Sequence, residues 1–164
     1  MLAARPDARF VFVGGVDPHG ARYAEEVRGR AAALGLEGAV SFLGHRDDAV
    51  RLIAGADLLL VTSRLLPGFH GWREGGPLVA AEALHVGTPV VAYDDPAVVE
   101  LLDGCGAVVP TGDVESLART TAALLASPEQ RSTLAACGRR RALDLRLDRA
   151  VAELVDVYRA VAAR

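Results

Sequence analysis

Five short apolar runs rich in Val, Leu and Phe punctuate the chain, at Arg9 to Val13, Ala39 to Leu43, Asp57 to Thr62, Pro89 to Tyr93 and Ala107 to Val109. Each is apolar at successive positions rather than alternate ones, the pattern of a strand buried on both faces. Between and after them, apolar residues recur at helical spacing over Ala21 to Leu34, Asp47 to Ala54, Pro77 to Val86, Ala97 to Leu102, Val114 to Ala126, Pro128 to Leu143 and Asp148 to Ala163. Strands separated by helix-length connections predict an α/β fold, a doubly wound parallel sheet in three αβα layers. Punctuation agrees with pattern. Gly35 closes the first helix, Gly87 ends the one before Thr88-Pro89, and Ser127-Pro128 offers a cap followed by a proline suited to the first helical position.

At 164 residues the chain has the length of one domain, and no repeat or linker divides it, so a single domain over residues 1–164 is expected. No apolar stretch approaches membrane-spanning length, and the N-terminus lacks the order of a signal peptide, so a cytoplasmic setting is expected. A formal charge of -3 gives no general attraction to nucleic acid, and the basic run Arg139 to Arg141 falls where a solvated helical face explains it. Cys105 and Cys137 sit among small apolar residues without the spacing of a zinc site or disulfide framework, and read as small buried hydrophobes. His19, His45, His70 and His85 form no metal set, so no metal and no cofactor is expected.

Ligands of such sheets bind at the carboxyl ends of the strands. Three loops there stand out: Gly14 to Gly20, Gly44 to Asp48, and the long segment Ser63 to Gly76. The last leads into Glu74-Gly75-Gly76-Pro77-Leu78-Val79-Ala80-Ala81-Glu82-Ala83-Leu84. Two glycines ahead of a helix expose main-chain N–H groups, and these, with the positive end of the helix dipole, make a site for a diphosphate. Glu74 and Glu82 stand on either side of it, where carboxylates can accept hydrogen bonds from sugar hydroxyls. Taken singly, each Glu is explained by a surface charge. Together, around Gly-Gly-Pro and ahead of Gly-Thr-Pro-Val-Val-Ala, they point to a site.

That arrangement resembles the signature of retaining GT-B glycosyltransferases, the large group that includes sucrose, mannosyl and glycogen-type enzymes. Further pieces follow in the same order: Phe12-Val13-Gly14-Gly15, Phe42-Leu43-Gly44, Ala56-Asp57-Leu58, Ser63, Glu100, Gly106 to Pro110, and Gly112-Asp113. The resemblance covers nearly the whole chain. It implies a nucleotide-sugar-binding domain, with the catalytic Glu74 holding hydroxyls of the transferred sugar and Glu82 holding the ribose. It also implies backbone contacts from Gly75, Gly76 and Leu78, a base-binding segment at Gly44, His45 and Arg46, and Gly14 and Gly15 lining the cleft. Arg46 is explained equally well by pairing with Asp47 or Asp48.

The sequence departs from the family in two places. Arg64 to Arg73 lengthens the loop before Glu74 and carries the only Trp, Trp72, and Pro96-Ala97 replaces a Gly-Gly before Glu100. The family's first strand and its Arg- and Lys-bearing loop are not matched either. The expectation is a donor domain lacking its first strand and its N-terminal acceptor domain, inactive by itself, the other reading being a non-catalytic nucleotide-binding module. Leu134, Leu143, Leu147, Val151, Leu154, Val155, Tyr158 and Val161 form an apolar stripe on the last helices, from which self-association is expected.

Overall fold

A computed structural model describes residues 5–16, 20–63 and 77–162. All the predicted elements are present, with ends shifted by a residue or two. Their order is β1 (Phe10–Phe12), α1 (Ala21–Ala33), β2 (Val40–Phe42), α2 (Ala49–Ala54), β3 (Leu59–Val61), α3 (Leu78–Val86), β4 (Val90–Tyr93), α4 (Pro96–Leu102), β5 (Ala107–Val109), α5 (Val114–Ala126), α6 (Pro128–Asp144) and α7 (Leu147–Ala162). The chain divides into two compact units, Met1–Arg51 and Leu52–Arg164.

In the first unit β1 and β2 pair in parallel, with Phe10 opposite Val40 and Phe12 opposite Phe42. The rings of Phe12 and Phe42 stack with centroids 4.9 Å apart, and the Arg28 guanidinium of α1 lies 5.4 Å from the Phe42 ring, a cation–π contact across helix and strand. Two-sided burial is not realised here. Val11 and Phe12 are half exposed, because this sheet has two strands and α1 buries none of its side chains.

The second unit carries the core. Its sheet runs β3-β4-β5, parallel throughout, with Val61 opposite Ala92 and Tyr93 opposite Val109. All four residues of the central strand β4 are buried, as a strand covered on both faces requires. Around it lie Ala80, Ala83 and Leu84 of α3, and Val98 and Leu102 of α4. Thr88 and Thr121 are the buried polar residues among those described, and their hydroxyls donate to the Ile53 and Leu117 carbonyls, both at 2.7 Å, so no buried side-chain hydrogen-bonding group among the described residues is stranded.

Local chemistry sets the helix ends. Gly87 adopts the left-handed region with φ 82° and its N–H donates to Ala83 and Leu84 carbonyls, ending α3. Asp95, Asp113 and Ser127 cap α4, α5 and α6 by accepting from the N–H of Ala97, Ser116 and Gln130. Helix α7 buries none of its residues; Leu147, Tyr158 and Val161 are mostly exposed and Val151 and Leu154 are half exposed.

One reading of the sequence is corrected. Cys105 and Cys137 are not unpaired hydrophobes; they form a disulfide, with Cα atoms 5.2 Å apart across a separation of 32 positions in the chain. The pairing arises from packing that local spacing does not display. Asp103 and Gly104 both take left-handed conformations and turn Cys105 inward from the end of α4, while α6 lies against α3 and presents Cys137 to the same core.

Leu84 is the largest side chain fully buried in this core and sits under Gly138 of α6, where an added Cβ would fall 2.9 Å from its Cδ2. Leu84→Ala is expected to lower unfolding free energy by about 2–5 kcal/mol, seen as a fall in urea midpoint with unchanged slope. A loss below about 1 kcal/mol would contradict the packing described.

Candidate functional site

In the unit Met1–Arg51 the loops after β1 and β2 meet. The N–H of Gly14 donates to the Gly44 carbonyl at 2.9 Å, and a Cβ on Gly15 would lie 3.8 Å from that of His45. Gly14, Gly15, Gly44 and His45 are thus brought together. Gly44 has φ 67°, a backbone state that costs a side-chain-bearing residue energy and glycine little. Arg46 follows them in the chain and makes a bidentate pair with Asp48, both contacts at 2.8 Å. Hydrogen bonding to Arg46 holds the Asp48 carboxyl below its ordinary range, and the same bond raises the guanidinium. His45 Nε2 lies 3.2 Å from an Asp47 carboxylate oxygen.

In the unit Leu52–Arg164 the site residues gather at the start of α3. Pro77 is the N-cap rather than the first helical residue, with ψ 102° and no side-chain cap, and it is fully buried. Its carbonyl accepts from the N–H groups of Ala80 and Ala81. The N–H groups of Leu78 and Val79 carry no hydrogen bond among the described residues, leaving two donors at the positive end of the helix dipole. Ala80, Ala83 and Leu84 turn into the core, so Leu78, Glu82 and His85 share the exposed stripe of α3. Leu78 is 79% exposed. The Glu82 carboxylate has no ion-pair or hydrogen-bond partner among the described residues. Glu74, Gly75 and Gly76 lie outside the described residues, as do His19, His70 and the Arg64 to Arg73 loop.

The carboxyl edge of the same sheet adds a pair that the sequence pattern did not single out. Asp94 follows β4, and its Oδ1 accepts from both the N–H and the hydroxyl of Thr111, at 2.7 and 2.6 Å. These bonds hold the carboxyl below its ordinary range and tie the loop after β4 to the loop after β5. Continuing the β3–β4 register two residues past Val61 and Ala92 sets Ser63, where the chain leaves β3 towards α3, level with Asp94. The signal available in the sequence was Asp94-Asp95-Pro96 at the end of a strand, where the second Asp caps the helix and the first is left to reach sideways. Among the described residues no group of three His, Cys, Asp or Glu is placed to hold a metal ion, and no helix is long and apolar enough to cross a membrane.

Comparison with known proteins gives this arrangement its family. Residues 1–141 match the family described as glycosyl transferases group 1, and the chain belongs to it. The D-inositol 3-phosphate glycosyltransferase of Salinispora arenicola is 38% identical over 138 residues, covering 81% of this chain and 29% of that protein. A GDP-mannose-dependent monoacylated alpha-(1-6)-phosphatidylinositol monomannoside mannosyltransferase of Corynebacterium glutamicum is 32% identical, covering 85% of this chain and 35% of its own. This chain therefore spans about a third of the length of these relatives. Among solved structures, HepE of Anabaena in complex with UDP superposes with a TM-score of 0.81 at 26% identity, covering 99% of this chain and 43% of that one. Sucrose-phosphate synthase of Thermosynechococcus elongatus gives 0.79 at 27% identity, covering 99% and 41%. The fold is that of the Rossmann-like C-terminal domain of GT-B glycosyltransferases.

The Asp94–Thr111 clamp has a pH signature. Its folded carboxyl titrates below the unfolded value of about 4, so its contribution is present above that value and is lost as pH falls through the folded pKa. Asp94→Asn is expected to flatten the acid limb of a stability-against-pH curve below about pH 4. An acid limb identical to that of the parent protein would contradict the clamp.

Proposed function

We propose that this chain is the donor-binding domain, running over residues 1–164, of a retaining glycosyltransferase. Its ligand is a nucleoside-diphosphate sugar, and the observation that carries the reading is the start of α3. There the N–H groups of Leu78 and Val79, unpaired among the described residues, lie on the same helix that presents the Glu82 carboxylate, also without a partner among those residues. Helix N-termini bind diphosphates through such donors, and Glu82, one turn further along, accepts from the ribose hydroxyls. Glu74 holds hydroxyls of the transferred sugar, with Gly75 and Gly76 adding main-chain contacts. By the family resemblance Gly44, His45 and Arg46 read the base by main-chain groups, and Gly14 and Gly15 admit the ligand to the backbone. The complexes of HepE with UDP and with UDP-glucose support a nucleotide-sugar ligand.

In the reaction an acceptor hydroxyl attacks the anomeric carbon as the C1–O bond to the diphosphate breaks, with retained configuration. The hydroxyl's proton leaves with the departing phosphate oxygen. The chain's part is to align the sugar and to stabilise charge on the leaving diphosphate, terms that lower barriers without an enzyme nucleophile. The acceptor site belongs to a separate N-terminal domain, so the chain by itself transfers no sugar. No metal or further cofactor takes part, and the setting is cytoplasmic. The isolated chain self-associates through the exposed apolar stripe of α7.

Calorimetric titration with UDP, GDP and ADP tests the ligand. Binding of one nucleotide at millimolar or tighter affinity is expected, weakened about tenfold or more in Glu82→Ala by loss of a charged hydrogen bond, and unchanged by a chelator. Full affinity in Glu82→Ala would remove Glu82 from the site. Binding to a nucleotide by a chain that shows no transfer even when rejoined to an acceptor domain would favour the non-catalytic module.

Light scattering tests the stripe. A concentration-dependent rise in mass, reduced by Leu154→Asp, is expected, and a monomer at all concentrations would contradict it.

A further inference from the structure

The disulfide is one of four fastenings between a short stretch of α6 and the elements beside it. Cys137 bonds to Cys105 in the turn between α4 and β5. The buried Gly138 brings the α6 backbone against Leu84, where an added Cβ would stand 3.5 Å from the Leu84 Cα. Arg141, one turn further on, donates from Nε to the Leu101 carbonyl at 3.0 Å and from Nη2 to the Glu100 carbonyl at 2.9 Å, and Nη1 lies 3.8 Å from Asp103. Between these, Arg139 lays its guanidinium over Gly87, the cap of α3. Residues 137–141 therefore clamp the end of α4 and the C-terminal half of α3, and the disulfide is the covalent member of the clamp.

The two cysteines differ in burial. Cys105 is 7% exposed, whereas Cys137 is only partly buried on α6, so exchange with a soluble thiol or disulfide begins at Cys137. Arg141 and Gly138 hold α6 in place without the S–S bond, so opening it leaves a folded unit with two thiols. These are the sole cysteines of the sequence, so no other protein thiol diverts the exchange.

We propose that Cys105 and Cys137 are a reversible thiol–disulfide modification site that sets how firmly α6 holds α3. In closing, the Cys137 thiolate attacks a small-molecule disulfide such as glutathione disulfide and releases one thiolate. The Cys105 thiolate then attacks the Cys137 sulfur of the mixed disulfide and releases the second. Two cysteine thiols are oxidised, one disulfide is reduced to two thiols, and the two cysteine protons end on the released pair. Reduction by a dithiol reverses both steps. Closure removes chain entropy from the unfolded state and restrains the helix that bears Leu78 and Glu82. The inference holds whatever α3 binds.

The test uses the whole 164-residue chain under native conditions. After dithiothreitol and desalting, thiol titration should count two free thiols, and after glutathione disulfide none. Closure is expected to raise the melting midpoint by about 5–10 °C and to slow amide hydrogen exchange severalfold in 78–86 and 137–141. Cys137→Ser should melt like the reduced chain and respond to neither reagent, with Cys105→Ala as the second variant should the first not fold. The proposal is overturned if the thiols stay free after glutathione disulfide. It is equally overturned if dithiothreitol opens the bond only in denaturant, or if exchange in 78–86 is the same in both states.

Discussion

Most of what the unit Leu52–Arg164 does follows from the close approach of α6 to α3. Leu84 is fully buried on α3 and faces Gly138, where an added Cβ would fall 2.9 Å from its Cδ2. With no side chain there, the two helices pack backbone to side chain, and the contact spreads to Ala80 and Ala83 on one side and to Cys137 on the other. Close packing of this kind transmits displacement rather than absorbing it. The start of α3, where Leu78 and Val79 present unpaired donors, is therefore placed by a helix more than fifty residues later in the chain.

Polar groups at the carboxyl edge have structural duties of their own. Asp95 and Asp113 cap the helices that follow β4 and β5, and Asp94 ties the two loops together through Thr111. Three carboxylates are consumed in shaping the edge. Glu82 differs in kind, because its helix is closed at its C-terminal end by Gly87 and packed without it. A carboxylate that no structural duty explains, beside donors that no carbonyl satisfies, is what distinguishes a binding position from a scaffold position.

Much of the fold was legible in the sequence. Strands of Val, Leu and Phe separated by helix-length segments are a short-range signal, and caps such as Gly87 and Ser127 are stronger still, because each satisfies backbone groups within a few residues of itself. Long-range facts were not legible. The pairing of Cys105 with Cys137 depends on how α6 lies against α3, and a separation of 32 positions leaves no local trace of it. The Asp94–Thr111 clamp likewise joins residues 17 apart through the register of neighbouring strands. For the site, Glu82 and Leu78 were legible through the Glu and Gly-Gly-Pro spacing and are placed on one exposed stripe. Gly14, Gly15, Gly44 and His45 were legible through glycines at strand ends, and their loops do meet. Two-sided burial of β1 and β2 was over-read, because an apolar strand records what can be covered and not what covers it.

The central claim is that the start of α3 receives the diphosphate of a nucleotide sugar. The most direct measurement is amide nuclear magnetic resonance of the isotopically labelled chain during titration with a nucleoside and with its diphosphate. The account predicts that the amides of Leu78 and Val79 move only when the diphosphate is present and saturate together with the ligand. Equal movement with the bare nucleoside, or no movement at these two amides while the diphosphate binds elsewhere, would contradict it.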